Sequence, residues 1–310
     1  MKCYKLLISS CVFGIFISCT KDTVVQEKKP ELPLSKAETE KLEMYKAEVE
    51  LGRNMAGRLL EYYGTNADEA LLGYVNQVGN YVAGYSDYPE RRYMFAILES
   101  PAVNAFACPG GYILVTLGTI NMAQNEAELA SILGHEIAHV GKQHMFKTLI
   151  SMSDKDRDEA AAKTKGKPDD HLAVRERPSA ENSTAGSLVA RYLAGGAGLS
   201  ILQAAKAGMN VILEKGLDKK YEFEADYEGT RYAIRAGYDP QAMNHFLNRL
   251  QKEKEKKHVN MEVLDKTHPK NSERMAHIDG LLKEMKAQEI VGAQGSERFQ
   301  KYVSKTQKRG

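Results

Sequence analysis

The chain has 310 residues, 43% hydrophobic and 27% charged, with a formal net charge of +2. That length supports one sizeable domain or two small ones. A charge so near neutral excludes nucleic acid, or any other polyanion, as a partner held by bulk electrostatics.

The first 18 residues form a targeting segment. Lys2 and Lys5 precede an apolar run from Leu6 to Ile17, which ends at Ser18-Cys19. The run is too short for a permanent membrane span and has the layout of a signal peptide. A small residue directly before Cys19 resembles the bacterial lipobox, although Phe16 stands where Leu is usual. Cys19 is therefore the expected lipidation site, giving a membrane contact through a lipid anchor. The alternative is a plain secretory signal with an incidental cysteine. Cys3 and Cys11 would leave with the signal, so Cys108 is the remaining free thiol and no internal disulfide is expected. A lone cysteine of this kind is expected to pack as a small hydrophobe.

Residues 19–35 are polar, contain two prolines, and are expected to be a tether. A helical pattern over 36–63 carries Leu42, Tyr45, Val49, Met55 and Leu59, and Gly64-Thr65-Asn66 stops it. A second helix is expected over about 67–84. The runs Tyr93–Leu98, Val103–Ala107 and Tyr112–Thr116 suit short strands, with Cys108-Pro109-Gly110-Gly111 as a turn. They predict a small antiparallel sheet. Asn125, with Glu128 three residues on, marks the start of a helix running through Leu129, Ile132, Leu133, Ile137 and Val140.

Residues 151–187 are rich in Asp, Lys, Arg, Ala and Ser, and are expected to be an exposed, mobile insertion. An apolar helix is expected over 188–215. Its Gly195-Gly196-Ala197-Gly198 suits close helix packing, because no Gly-Lys-Ser/Thr follows as a phosphate loop requires. Helices follow at about 218–236, 240–257 and 271–288, the domain closes near residue 290, and 291–310 is expected to be a frayed tail.

The chemistry is concentrated in His135-Glu136-Ile137-Ala138-His139. Positions i and i+4 of a helix share a face, so His135 and His139 can hold one zinc ion, with Glu136 beside it as general base. A metal there makes water a nucleophile at neutral pH, and Glu136 can move the proton to the leaving amine. A catalytic site needs a third protein ligand. His144 lies nine residues after His135, on the opposite face of a continued helix, and is expected to be a surface or packing residue. Tyr221-Glu222-Phe223-Glu224-Ala225-Asp226 offers three carboxylates. Glu222 and Asp226 share one helix face and Glu224 does not, so Glu222 can ligate while Asp226 orients a ligating histidine.

Five blocks in order now carry a family resemblance. They are Val103–Ala107 with Pro109-Gly110-Gly111, His135–His139, Glu222–Asp226, Ala236-Gly237-Tyr238-Asp239-Pro240, and Thr267-His268-Pro269 followed by Arg274. From about Glu48 to Leu282 the chain resembles metallopeptidase family forty-eight, which includes HtpX, the CAAX prenyl proteases, the mitochondrial OMA proteases and periplasmic quality-control proteases. The resemblance implies Glu222 as third zinc ligand and Asp226 as its neighbour's orienting partner. It implies that the strand around Asn104, Ala105 and Phe106 holds substrate as an added β-strand. It also implies that His268 lies over the metal, as a plug or an oxyanion stabiliser, with Arg274 anchoring the same loop through a carboxylate. Cys108 departs from the family pattern.

The expectation is a mainly helical α+β zincin domain over 36–290, with one zinc ion. Its substrate would be polypeptide, unfolded or misassembled protein of a bacterial cell envelope, hydrolysed by a lipid-anchored enzyme facing the periplasm. The rival functions are a chaperone or envelope assembly factor using the same groove, and a structural zinc protein with no reaction.

Overall fold

The computed structural model describes residues 34–152, 156, 159, 201–256 and 262–307. The expectations for the signal segment, for Cys19, for the tether up to residue 33, for nearly all of 151–187 and for Gly195–Gly198 lie outside the described residues.

The first helix, α1, spans Lys36–Tyr63. Ser35 caps it by accepting from the Glu38 amide, the Glu38 carboxylate returns to the Ser35 amide, and Gly64 ends it at φ +76°. Leu51, Met55 and Leu59, one turn apart, form its buried face. Helix α2, Glu69–Gly84, starts from an Asp68 cap and buries Leu71, Val75, Val78 and Val82.

Strands β1 (Met94–Leu98), β2 (Ala105–Cys108) and β3 (Tyr112–Thr116) follow. The sheet is mixed, which corrects the antiparallel expectation. Its order is β1-β3-β2, with β3 parallel to β1 and antiparallel to β2. Turn signals identify each chain reversal, but not that β2 skips a place and leaves β1 on the far side of β3. Residues 99–104 make that crossing. There the Thr116 hydroxyl accepts from the Asn104 amide at 3.1 Å and donates to the Ala102 carbonyl at 2.6 Å.

Both faces of the sheet are covered, which accounts for the unbroken apolar run of β3. Ile113 and Val115 pack with Leu71, Val75, Leu129 and Leu133, whereas Leu114 faces Leu51, Met55 and Phe146. The turn Pro109-Gly110-Gly111 presses on α1. A Cβ at Gly110 (φ +72°) would lie 2.5 Å from the Val49 Cα, so only glycine fits. The buried Glu48 carboxylate accepts from the Gly110 amide (3.1 Å), Arg91 (2.9 Å) and Gln143 (2.6 Å). One α1 residue thus ties the β2–β3 turn to the segment after the central helix.

After the short α3 (Leu117–Met122) comes α4, Glu126–Gly141, every residue of which is buried. Its Asn125 cap accepts from the Glu128 amide at 3.0 Å, and the Glu128 carboxylate accepts from the Gln124 amide, one residue earlier than a capping box requires. Helix α5 is His144–Ser151, and α6, Ile201–Asn210, continues into a π-helical stretch over Val211–Lys215. Then come α7 (Lys219–Arg235), α8 (Ala242–Glu255), α9 (Glu262–Thr267) and α10 (Asn271–Glu284). A third apolar cluster, including Ile132, Met243, Phe246, Leu250 and Ile278, joins α4, α8 and α10. Among the described residues, no helix is long and apolar enough to cross a membrane.

The C-terminal region departs from the expected frayed tail. Ser296–Gln307 forms α11, whose Phe299 and Val303 are fully buried in the core around α2 and α4. Arg298 pairs with Glu126 at the start of α4, and the Tyr74 and Tyr238 hydroxyls donate to the same carboxylate at 2.8 Å each. Sparse apolar residues conceal this helix in the sequence; besides Phe299, Val303 and the Arg298 pair, a stack of Tyr302 on Tyr74 at 4.5 Å and a Thr306–Asn121 hydrogen bond of 2.7 Å dock it.

Candidate metal centre

Helices α4 and α7 cross backbone to backbone at Gly134 and Gly229. A Cβ on Gly229 would lie 2.5 Å from the His135 amide nitrogen, and one on Gly134 would lie 2.8 Å from the Gly229 carbonyl oxygen. This close approach brings the carboxylates of α7 to the histidines of α4.

His135 Nε2 and His139 Nε2 lie 3.0 Å apart. Glu222 Oε1 is 3.6 Å from His139 Nε2, and Glu222 Oε2 is 3.7 Å from His135 Nε2. His135, His139 and Glu222 are all buried. The edge of a tetrahedron around zinc, with ligand distances near 2.0–2.1 Å, is ~3.3 Å, so these donor atoms are spaced as ligands of one small cation.

Hydrogen bonding makes the same case. His135 Nδ1 lies 2.9 Å from Asp226 Oδ1, which takes its proton and leaves an Nε2 lone pair pointing at Glu222. The Thr267 hydroxyl donates to the Val263 carbonyl at 2.8 Å, so His268 Nδ1, 2.9 Å away, is the donor to that oxygen. His268 Nε2 therefore also presents a lone pair, 3.4 Å from Glu222 Oε2. That carboxylate oxygen is buried with no hydrogen-bond partner. With the rings neutral, lone pairs converge on an orphaned buried oxygen, an arrangement that a cation between them satisfies, so the residues present fit a divalent metal. His135, Glu222 and His268 bring one ligand-type atom each within 4.8 Å of one another.

The surrounding charges are strongly perturbed. Burial opposes charge on His135, but Asp226 and Glu222 outweigh it and raise the imidazole to about 9, so a cation bound at Nε2 would have to displace a proton from that atom. Burial opposes charge on Asp226 as well, yet Arg274 holds it far below the usual carboxylate range. Arg274 makes a two-pronged contact, Nε to Oδ2 at 2.9 Å and Nη2 to Oδ1 at 2.6 Å. The carboxylate that Arg274 meets is thus that of Asp226. Burial pushes Glu136 up to about 7, with Glu222 adding to it and His135 working against it. Cys108 is buried, and burial raises its thiol far above the ordinary value, in keeping with a packed hydrophobe.

His144 takes a different place from the one a continued helix gives it. Helix α4 stops at Gly141, Gln143 adopts a left-handed φ of +58°, and α5 begins at His144 itself. The imidazole is fully buried, so the surface alternative is excluded and the packing one holds. Its Nδ1 is 2.9 Å from His139 Nδ1, and its Nε2 is 3.2 Å from Glu224. Burial lowers it to about 4. Glu224 points away from Glu222, as helical spacing predicts, and also pairs with Lys142 at 3.1 Å. Sequence reasoning missed Glu48, Glu126 and the contact between His144 and His139. A positive φ at Gln143 has no local sequence signal that could have exposed the last of these.

Asn104, Ala105 and Phe106 lie at the start of β2, an edge strand beside α4. Two cavities flank Glu136 and His268, and Asn104 and Ala105 line both. One is walled by Ile132, Met243, Phe246 and Leu250, the other by Met145, Ile212 and Leu217. Asn104 Nδ2 is buried without a hydrogen-bond partner, while its Oδ1 accepts from the Ala105 amide at 2.9 Å.

The chain is similar to several known proteases. The beta-barrel assembly-enhancing protease of Escherichia coli (strain K12) is 26% identical over 243 residues, covering 78% of this chain and 44% of that protein. That of Yersinia pestis is 27% identical over 230 residues, covering 73% and 42%. The mitochondrial metalloendopeptidase OMA1 of Bos taurus is 36% identical over 55 residues, covering 18% and 10%. The chain spans less than half the length of these relatives. The profile of Peptidase family M48 matches residues 69–282, from α2 through the helix that carries Arg274, and the chain belongs to that family of metal-dependent peptidases.

Proposed function

We propose that the chain is a zinc-dependent metalloendopeptidase that hydrolyses unfolded or misassembled envelope proteins and is held latent by His268. The observation that carries this reading is the convergence of His135 Nε2, His139 Nε2 and the orphaned Glu222 oxygen beside Glu136. His135, His139 and Glu222 would hold the zinc, and Asp226 with Arg274 would fix the His135 ring. When bound, zinc supplies a Lewis acid that polarises the scissile carbonyl and acidifies water.

The chain's own residues do the rest. Glu136 removes the proton of the attacking water and delivers it to the departing amine nitrogen. The outer edge of β2, to which no further strand pairs among the described residues, would take substrate main chain, a mode that reads backbone more than side chains and suits unfolded polypeptide. The unpartnered Asn104 Nδ2 is a donor for a substrate carbonyl. The cavity of Ile132, Met243 and Phe246 suits an apolar side chain next to the cleaved bond. His268, 3.4 Å from Glu222 Oε2, stands where substrate would enter and must withdraw. That position favours the second reading too, an assembly factor or chaperone using the groove while proteolysis stays latent. The relatives named for beta-barrel assembly support an envelope setting, and Cys19 would supply the lipid anchor facing the periplasm.

The test is zinc content with chelator-sensitive digestion of an unfolded porin, run beside Glu136→Gln and His268→Ala. Glu136→Gln should keep zinc and lose cleavage by at least about 100-fold, the scale of a lost general base. His268→Ala should cleave faster than wild type if it acts as a plug. A wild-type chain and a His268→Ala variant that both fail to cleave would overturn the peptidase reading, and an unchanged rate in His268→Ala would overturn the plug.

A further inference from the structure

Resting on the metal-site reading above, we propose that His144 and Glu224 form a positioning relay that holds His139 in the tautomer and orientation of a metal ligand.

Three contacts fix the His144 ring. Its Nδ1 meets His139 Nδ1 at 2.9 Å, its Nε2 meets Glu224 Oε2 at 3.2 Å, and its face stacks on Tyr221, with centroids 4.4 Å apart and planes 18° from parallel. The His144 and His139 rings meet nearly edge to face, at 82°.

The direction of the proton chain follows from its end. A carboxylate accepts and does not donate, so Glu224 requires the proton on His144 Nε2. A neutral imidazole carries one proton, so His144 Nδ1 is then an acceptor. The facing His139 Nδ1 must donate to it, which leaves the His139 Nε2 lone pair aimed at His135 Nε2 and Glu222. The reverse polarity would set the His144 Nε2 lone pair against Glu224 and place a proton on the His139 atom that has to bind the metal. Lys142, 3.1 Å from Glu224 Oε1, holds the terminal carboxylate in place.

The arrangement parallels that of the other histidine. His135 Nδ1 donates to Asp226, which Arg274 secures. His139 Nδ1 donates to His144, which Glu224 and Lys142 secure. Partners of this kind set ligand basicity and ring orientation. The left-handed turn at Gln143 makes the contact possible, because it brings a histidine five residues after His139 back against it.

The experiment is a zinc competition titration of the full chain against a chromophoric chelator, with thermal unfolding of the zinc-free protein in parallel. His144→Leu keeps apolar volume and removes the acceptor, and should weaken zinc binding by about 10- to 100-fold. His144→Asn places an amide oxygen where Nδ1 stood and should retain most of the affinity, with a zinc-free unfolding midpoint close to that of His144→Leu. Equal zinc affinity in wild type and His144→Leu would overturn the relay, as would equal losses in the Leu and Asn variants. If His144→Leu does not fold, Glu224→Ala at the exposed end decides. Weakened zinc binding supports the relay and unchanged binding overturns it. A wild-type chain that binds no zinc would instead defeat the metalloendopeptidase reading itself.

Discussion

The crossing of α4 and α7 at two glycines makes metal affinity depend on a position that touches no ligand. In Gly229→Ala the new Cβ would sit 2.5 Å from the His135 amide nitrogen and 2.7 Å from both the Gly134 carbonyl carbon and the His135 Cα. All three are backbone atoms and cannot rotate away. Comfortable contact needs about 3.5 Å, so the helix axes must separate by ~1 Å. Glu222 lies seven residues before Gly229, two turns along the same face of α7, and moves with it. Metal–ligand distances tolerate about 0.2 Å, so a shift of this size pulls Glu222 out of reach of a metal held by His135 and His139. Overpacking of this kind costs about 1–3 kcal/mol of stability. Zinc affinity should fall by at least about tenfold, the lower scale of losing a supporting group at a metal site. Urea unfolding and the zinc competition titration measure the two effects. Gly73→Ala and Gly280→Ala are the controls, since a Cβ there meets nothing within 4 Å. Those helical positions should gain up to about 1 kcal/mol and leave zinc binding alone. If Gly229→Ala matches wild type in both measurements, the crossing does not set the ligand spacing and the reasoning fails.

Three further outcomes are expected. Phe299→Ala should cost about 3–5 kcal/mol in urea unfolding, because Phe299 is fully buried, and a loss below 1 kcal/mol would show that α11 is not part of the cooperative core. Glu126 is depressed below the usual carboxylate range, since burial opposes its charge but Arg298 and the Tyr238 and Tyr74 hydroxyls outweigh it. Its stabilisation is present above the unfolded value near ~4.3 and is lost as pH falls through the lower folded value. Glu126→Gln should therefore be less stable than wild type at neutral pH, by a margin that narrows in acid. A margin independent of pH would contradict the pairing. Cys108 should resist iodoacetamide at pH 8 in the native chain and react in denaturant, because burial keeps it a thiol, whereas fast native labelling would refute its packed position.

Local periodicity carried much of this protein. Spacing of i and i+4 was enough to put His135 with His139 on one helix face, and Glu222 with Asp226 on another, with Glu224 turned away. A turn glycine marked the end of α1 and the Asn125 cap marked the start of α4, each to within a residue. Such features depend on neighbours in the chain, and the chain states its neighbours. What the sequence left open depends on which distant surfaces meet. The place of β2 beyond β3 is set by a crossing that no turn signal encodes. The carboxylate met by Arg274 is chosen by the packing of α10 on α7. Docking of α11 comes from Phe299 and Val303 entering a core made by other helices. His144 shows the division within a few residues. Its distance along the chain from His139 was legible, but its side depended on one left-handed residue, Gln143, whose conformation Glu48 helps to hold from 95 residues away.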